Sequence, residues 1–167
     1  MLRETAEFRR GRNGERIVAS ILMRSGWLVV PSYDYSGEDN NQAPRMEGDG
    51  TFLVIPDLDA CKRGRRRWIE VKTKKTATLH RKTGTLEHGI SLRHFRHYQS
   101  VEAESGSPVW LVVYEENSGD LLIARLSELS ARARIYEGPK MGRAGMAFFP
   151  RDAFRFWKRA TAAEDAA

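Results

Sequence analysis

The chain has 167 residues, 41% of them hydrophobic and 30% charged, which suits one globular domain with a sizeable core. Its 28 Lys and Arg against 22 Asp and Glu leave a net charge of +6, which suits a polyanionic partner but specifies no fold. Cys61 is the only cysteine, so an intrachain disulfide and a multi-cysteine zinc site are excluded, and a reducing compartment fits. Met1-Leu2-Arg3-Glu4-Thr5 mixes charges and leads into Phe8-Arg9-Arg10, so no signal peptide is expected. The longest apolar runs, such as Phe52 to Pro56, fall far short of the ~20 residues that span a bilayer, so no membrane partner is expected.

No internal repeat is visible. Ile17, Val18, Ile21 and Leu22 give the stripe of an amphipathic helix ending near Arg24, with Gly26 as its C-terminal cap. Trp27 to Val30 reads as a short buried strand closed by Pro31. Ser36 to Gly50 is rich in Gly, Asn, Asp and Pro and reads as a long loop. Thr51 to Ile55 reads as a strand leading into Pro56-Asp57, and Arg67 to Lys72 as the next, with Gly64 at the tip of a hairpin turn between them. Thr76 to Gly89 is polar and reads as a loop. Ser91 should cap a helix to about Glu104. Pro108 to Tyr114 is a continuous apolar run, hence a strand buried on both faces. A strand at Leu121–Ala124, a short helix at Ser127–Arg134, a strand at Met146–Phe149 and a closing helix at Arg151–Arg159 complete the chain. Residues 160–167 should fray. The aromatics from Phe148 to Trp157 suit a core for this C-terminal part or a dimer face. This order predicts an α/β domain spanning 1–159, with a mixed central sheet flanked by helices on both faces. A helix between Ile69–Val71 and Val109–Val113 implies that these strands are parallel neighbours.

The informative stretch is Pro56-Asp57 followed by Glu70-Val71-Lys72. Strand side chains alternate, so Glu70 and Lys72 share one face and Ile69, Val71 and Thr73 the other. A turn centred on Gly64 brings Asp57 nearly opposite Glu70, where cross-strand neighbours stand roughly 5 Å apart. Two such carboxylates repel unless a cation sits between them, and a hard divalent ion with oxygen ligands resolves the conflict. Lys72 then stands beside the ion, placed to orient a water or offset phosphate charge. A solvated strand would also alternate Glu and Lys. Glu15 aligns with Val18, Ala19 and Leu22 on the buried stripe of the first helix, where an acid wants a partner; a first-turn acid favoured by the helix dipole is the other reading.

Together these residues resemble the PD-(D/E)xK nuclease superfamily: a helix with Gly14-Glu15, an apolar strand ending in Pro56-Asp57, a basic hairpin, and a strand with Glu70-Val71-Lys72. That superfamily includes restriction endonucleases, Holliday junction resolvases and many phage nucleases, and the small resolvases are most similar in size and element order. The resemblance covers about residues 11–114 and implies a restriction-endonuclease-like fold. It implies Mg²⁺, with Mn²⁺ able to substitute, held by Asp57, Glu70, the Val71 carbonyl and Glu15. Lys72 would assist the attacking water, which makes Asp57, Glu70, Lys72 and Glu15 the catalytic set. Tyr98 and Gln99 lie where many members place an auxiliary polar residue, although Tyr98 also suits plain helix packing and Gln99 exposure. Asp59 and Asp49 compete with Asp57; Asp59 is nearer the turn and Asp49 lies in a Gly-Asp-Gly turn. The loop from Ser36 to Gly50 is longer than a minimal resolvase needs, and residues after Tyr114, with an appendix at 120–159, share no motif.

Eight of the fourteen residues from Lys62 to Lys75 are Lys or Arg. Lys62, Arg63, Arg65, Arg66, Arg67, Lys74 and Lys75 suit a phosphate backbone, as do Arg81 and Lys82, because arginine binds phosphate bidentately. A solvated hairpin would carry the same charges. His94 and His97 have the spacing of zinc ligands on a helix, but no third ligand supports them, and the four histidines are expected to face DNA or solvent. Serine-hydrolase, P-loop and zincin motifs are absent. The resulting expectation is a Mg²⁺-dependent DNA endonuclease of the Holliday junction resolvase type, working in recombination or repair. It would act as a homodimer in the cytoplasm of a bacterial or phage-infected cell. A nuclease acting on unbranched DNA and a non-catalytic nucleic-acid-binding protein remain open.

Overall fold

The computed structural model describes residues 6–32, 44–138 and 145–161. The first helix, α1 (Ala6–Arg24), buries Ile17, Val18, Ile21 and Leu22, and the chain turns out of it at Gly26, whose φ of 79° is left-handed. Next come β1 (Leu28–Pro31), β2 (Arg45–Gly48), β3 (Thr51–Val54), β4 (Leu58–Lys62), β5 (Arg65–Lys74), β6 (Thr78–His80) and β7 (Thr85–Ser91). Then follow α2 (Leu92–Ser105), β8 (Val109–Glu115), β9 (Asp120–Arg125), α3 (Leu126–Ser130), β10 (Arg134–Tyr136), β11 (Met146–Pro150), a 3-10 turn (Arg151–Ala153) and β12 (Arg155–Arg159).

A six-stranded sheet has the order β1-β4-β5-β8-β9-β12. Only β5 and β8 pair in parallel, as the intervening helix requires; the other pairings are antiparallel. α1 packs on one face with Leu58, Ile69, Val71 and Val112. α2 packs on the other with Trp68, Leu111 and Val113. The mixed sheet with helices on both faces is therefore as expected, and the strand at β8 is buried on both faces.

Several local expectations are corrected. β1 is an edge strand rather than a buried one: Leu28 and Val30 are 73% and 62% exposed, because only β4 borders it. The expected loop from Ser36 to Gly50 contains β2, which pairs with β3 through a tight turn at Asp49-Gly50; residues 36–43 lie outside the described residues. β3 therefore does not enter the central sheet, and β4 takes the place expected for it. The expected loop from Thr76 to Gly89 is the hairpin β6–β7, part of a second sheet of order β10-β11-β7-β6. Ser91 occupies the N-cap position of α2 but makes no capping hydrogen bond. The closing helix is replaced by the 3-10 turn and β12, which pairs with β9. An aromatic-rich run can alternate sides as a strand, and a free sheet edge overrode its helical pattern. Residues after Tyr114 are no appendix: β9 and β12 complete the central sheet, and Phe149 and Phe154 lie in its core. Of the tail expected to fray, residues 162–167 lie outside the described residues.

Gly14 sets the distance between α1 and β5. A Cβ there would stand 2.0 Å from Thr73 Oγ1 and 3.4 Å from Thr73 Cβ. Gly14→Ala should cost about 1–3 kcal/mol, the scale of overpacking. Thr73→Ala in the same chain should recover most of that loss in chemical denaturation, since it removes the clashing oxygen.

A buried network ties the second sheet to the first. His88 Nε2 donates to Glu115 Oε1 at 2.9 Å, and Arg151 grips both oxygens of Glu115 at 2.9 and 2.7 Å. Burial pushes His88 below the ordinary imidazole range; Arg151 and Lys74 add repulsion, and Glu115, already neutralised by Arg151, cannot reverse it. His94 and His97 shift the same way, chiefly by burial. The unfolded chain therefore binds more protons below about pH 6.5, and stability falls as pH drops through that region. In an Asp57→Asn variant, which lacks the opposing titration of the raised Asp57 carboxyl, melting temperature should decline between about pH 7.5 and 5; a flat profile there would overturn this reading.

Candidate active site

The hairpin β4–β5 turns in two residues, Arg63 and Gly64, with φ of 49° and 76°. Two successive positive φ values match the right-handed twist of the strands and lock the register. Lys62 pairs with Arg65, and Leu58 with Ile69. One step further along this register, Asp57 comes opposite Glu70. The backbone N–H of Val71 donates to Asp57 Oδ2 at 2.8 Å, and the N–H of Ser32 donates to the Asp57 carbonyl at 2.8 Å. Asp57 is thus held from both sides where the chain enters β4.

Glu70 is 1% exposed, beneath α2, so the solvated-strand reading of its alternation with Lys72 does not hold. The Tyr98 hydroxyl donates to Glu70 Oε2 at 2.6 Å, and the Lys72 ammonium pairs with Oε1. That contact is an ion pair without hydrogen-bond alignment, and the buried Oε1 accepts no aligned hydrogen bond. Asp57, 7% exposed, is raised well above the ordinary aspartate range: burial contributes most, then repulsion from Glu70, with Glu15 adding to it. Lys72 and the Val71 N–H oppose the rise without cancelling it. Two buried carboxylates with incomplete compensation form a donor set that fits a divalent cation. Among the described residues no three His, Cys, Asp or Glu side chains converge tightly enough to hold an ion. A cation here would rest on Asp57, Glu70, the Val71 carbonyl and solvent, with Glu15 in electrostatic range. Mg²⁺, which keeps several waters, suits such a sparse set.

His94 was missed as a member of this site. Its ring lies 5.8 Å from that of Tyr98, and Glu70 and Lys72 both act on its charge. The available signal was its spacing four residues before Tyr98, which puts both on one helix face. Gln99 points elsewhere, donating to Ser130 Oγ at 3.3 Å. Asp59 is taken by Arg66, whose Nε and Nη2 donate at 3.0 and 2.8 Å, and Asp49 lies in the exposed β2–β3 turn. Neither competes with Asp57.

The basic residues divide. Arg63 and Arg65 are exposed at the hairpin tip, while Lys62 donates to the Ser25 carbonyl. Arg67 lies over the rings of Trp27 and Trp110. Arg65 is five residues from Glu70, roughly 17 Å along a strand, so the tip does not stand beside the carboxylates. Lys74 ends β5 two residues past Lys72, and Lys75 follows it. Arg81 and Lys82 are exposed at the tip of the β6–β7 hairpin. On the other flank of α2, Arg93, Arg96, His97 and Phe52 line a groove of 670 Å³.

No protein-family model and no curated protein matches this sequence. Solved structures do match. The Holliday junction resolvase Hjc of Archaeoglobus fulgidus superposes with a TM-score of 0.55 at 11% identity, over 94% of this chain and 96% of the resolvase. D212, a nuclease from a fusselovirus, superposes with a TM-score of 0.51 at 12% identity, over 91% of this chain and 88% of that one. The chain has the restriction-endonuclease-like fold. In this restriction-endonuclease-like chain the likeness extends past the motif-bearing half, which agrees with β9 and β12 being integral to the sheet. No described helix is long and apolar enough to cross a membrane.

Proposed function

We propose that this chain is a metal-dependent DNA nuclease that hydrolyses phosphodiester bonds at Asp57, Glu70 and Lys72. The observation that carries the reading is the pairing of Asp57 with Glu70 under like-charge repulsion, beside Lys72 and under Tyr98. Such repulsion costs stability and is retained where a cation is to be held. The resolvase and the viral nuclease among the fold's solved relatives support the same reading, and a four-way junction is the proposed substrate.

Asp57, Glu70 and the Val71 carbonyl would hold Mg²⁺, or Mn²⁺ in its place, with Glu15 contributing charge. When bound, the ion would supply a more acidic water and offset the charge of the phosphate. The chain's own groups set the geometry. The Val71 N–H fixes one oxygen of Asp57, and the Tyr98 hydroxyl fixes Oε2 of Glu70, which leaves Oε1 toward Lys72. The Lys72 side chain, 29% exposed, reaches both Glu70 and solvent. It is placed to orient a water and to stabilise charge that develops on the phosphoryl oxygens. A junction resolvase needs two such sites, so a symmetric dimer belongs to the proposal.

The test incubates labelled linear, nicked, single-stranded and four-way-junction DNA with the protein, with and without Mg²⁺. Cleavage of the junction in Mg²⁺ alone, at paired positions on opposite strands, is expected. Faster cleavage of a linear duplex would retain the nuclease and remove the junction. Binding with no cleavage in Mg²⁺ or Mn²⁺ would leave a non-catalytic nucleic-acid-binding protein.

A further inference from the structure

Several arginines among the described residues pair with an acid. Arg66 pairs with Asp59, Arg134 with Glu87, Arg151 with Glu115 and Arg159 with Asp120. Arg67, Arg125 and Arg155 do not: no carboxylate pairs with any of them among the described residues. All three converge on one indole. Their guanidinium carbons lie 5.0, 5.9 and 5.6 Å from the Trp110 ring, and Arg67 also lies 4.5 Å over Trp27.

The strand register creates this gathering. Trp110 on β8 pairs with Arg125 on β9 and with Ile69 on β5, while Arg155 on β12 pairs with Ile123, two residues from Arg125 on the same face. The row crosses β5, β8, β9 and β12 on the α1 face, beyond the end of α1. Beneath it lies a cavity of 200 Å³ lined by Trp27, Arg67, Trp110 and Trp157, among others. The Trp110 Nε1–H is buried with no hydrogen-bond acceptor. Burial chiefly, with repulsion from Arg65, Arg125 and Arg155, holds the Arg67 pKa below the ordinary value.

Guanidiniums gathered without an acid are mutually destabilising, and stacking on an indole offsets only part of that. What completes the set is an anion. Arginine forks match phosphate bidentately. Arg67 already covers faces of Trp27 and Trp110, so the surface offers charge rather than an open stacking platform for bases. A second copy of the chain, docked symmetrically here, would bring two such sets together and repel. Arg67 is three residues from Glu70, about 10 Å along β5, and on the opposite face of the sheet. A duplex straight across the Lys72 site does not reach it.

We propose that Arg67, Arg125 and Arg155 form a second phosphate-binding surface, which holds a backbone segment of the nucleic acid other than the one at the Lys72 site. This rests on the nuclease reading for the identity of the polyanion and deepens it, because a branched substrate supplies two such segments. The test is binding of a labelled four-way junction and a linear duplex in EDTA, followed by anisotropy across a salt series. Arg125→Gln/Arg155→Gln should weaken junction binding tenfold or more at low salt. It should lower the salt slope by about 1.8, at 0.9 per phosphate contact. The linear duplex should change less. Arg125→Lys/Arg155→Lys should restore most of the slope, which separates charge from fold. Equal slopes for parent and glutamine variant overturn the proposal whether or not the parent cleaves DNA. A parent that shows the slope difference but cleaves nothing leaves the surface standing and removes the nuclease. A tryptophan fluorescence change with inorganic pyrophosphate but not with DNA would assign the surface to a small free anion and also overturn it.

Discussion

Asp57→Asn should lower DNA cleavage at least about 10²-fold and yet raise the melting temperature of the metal-free protein. The two effects have one origin. Burial and repulsion from Glu70 and Glu15 raise the native Asp57 pKa. A carboxyl whose native pKa lies above its unfolded value is destabilising once pH exceeds both, so its charge is a burden at neutral pH. Asparagine removes that charge and keeps an oxygen for the Val71 N–H, which donates at 2.8 Å. The same substitution removes an anionic ligand from the proposed cation site. DNA binding should be unchanged or tighter, since a negative charge beside the phosphate is gone. Calorimetry in EDTA and cleavage in Mg²⁺ read the two predictions separately. Parent-like cleavage by the variant would remove Asp57 from the site. A lower melting temperature would mean that Asp57 serves the fold.

Lys72→Ala should also reduce cleavage about 10²-fold or more, the scale of a positioned electrostatic or acid–base group. Its effect on stability should have the opposite sign. Glu70 is 1% exposed, and Lys72 is its charge partner. Removing the cation leaves a buried anion that, among the described residues, keeps only the Tyr98 hydrogen bond, at a cost of about 1–3 kcal/mol. That is less than a fully buried pair loses, because the Lys72 head keeps contact with solvent. Added Mg²⁺ should recover part of the melting temperature, and the variant should bind the ion at least as well as the parent. Loss of ion binding with the fold intact would give Lys72 a different role.

Much of the site was legible because it is local. A two-residue turn at Arg63-Gly64 and a strand period of two suffice to place Asp57 opposite Glu70 and Lys72 beside Glu70. The apolar run of β8 and the helix before it likewise required the parallel pair β5–β8. What failed was mostly pairing between distant segments. The run Arg155–Arg159 carries both a helical and a strand pattern, and the free edge of β9 decided between them. β2, β6 and β10 are short, polar and poor in alternation, so nothing within them announces a strand. The expected burial of β1 failed because a four-residue apolar run cannot say whether it is bordered on one side or two.

Residue order along one hairpin thus determined the carboxylate pair, the neighbouring lysine and the basic composition around them, since turn geometry and strand alternation act over a few residues. The tertiary structure alone decided which groups surround that pair. Tyr98 reaches Glu70 across 28 positions of the chain, and Arg67 meets Arg155 on Trp110 through strands scattered along its length. Both depend on helix packing and on sheet order, and neither leaves a local signature. The division of the basic residues followed from the same cause: charge is written in the sequence, but whether an arginine faces an acid, an indole or solvent is set by what the sheet places beside it.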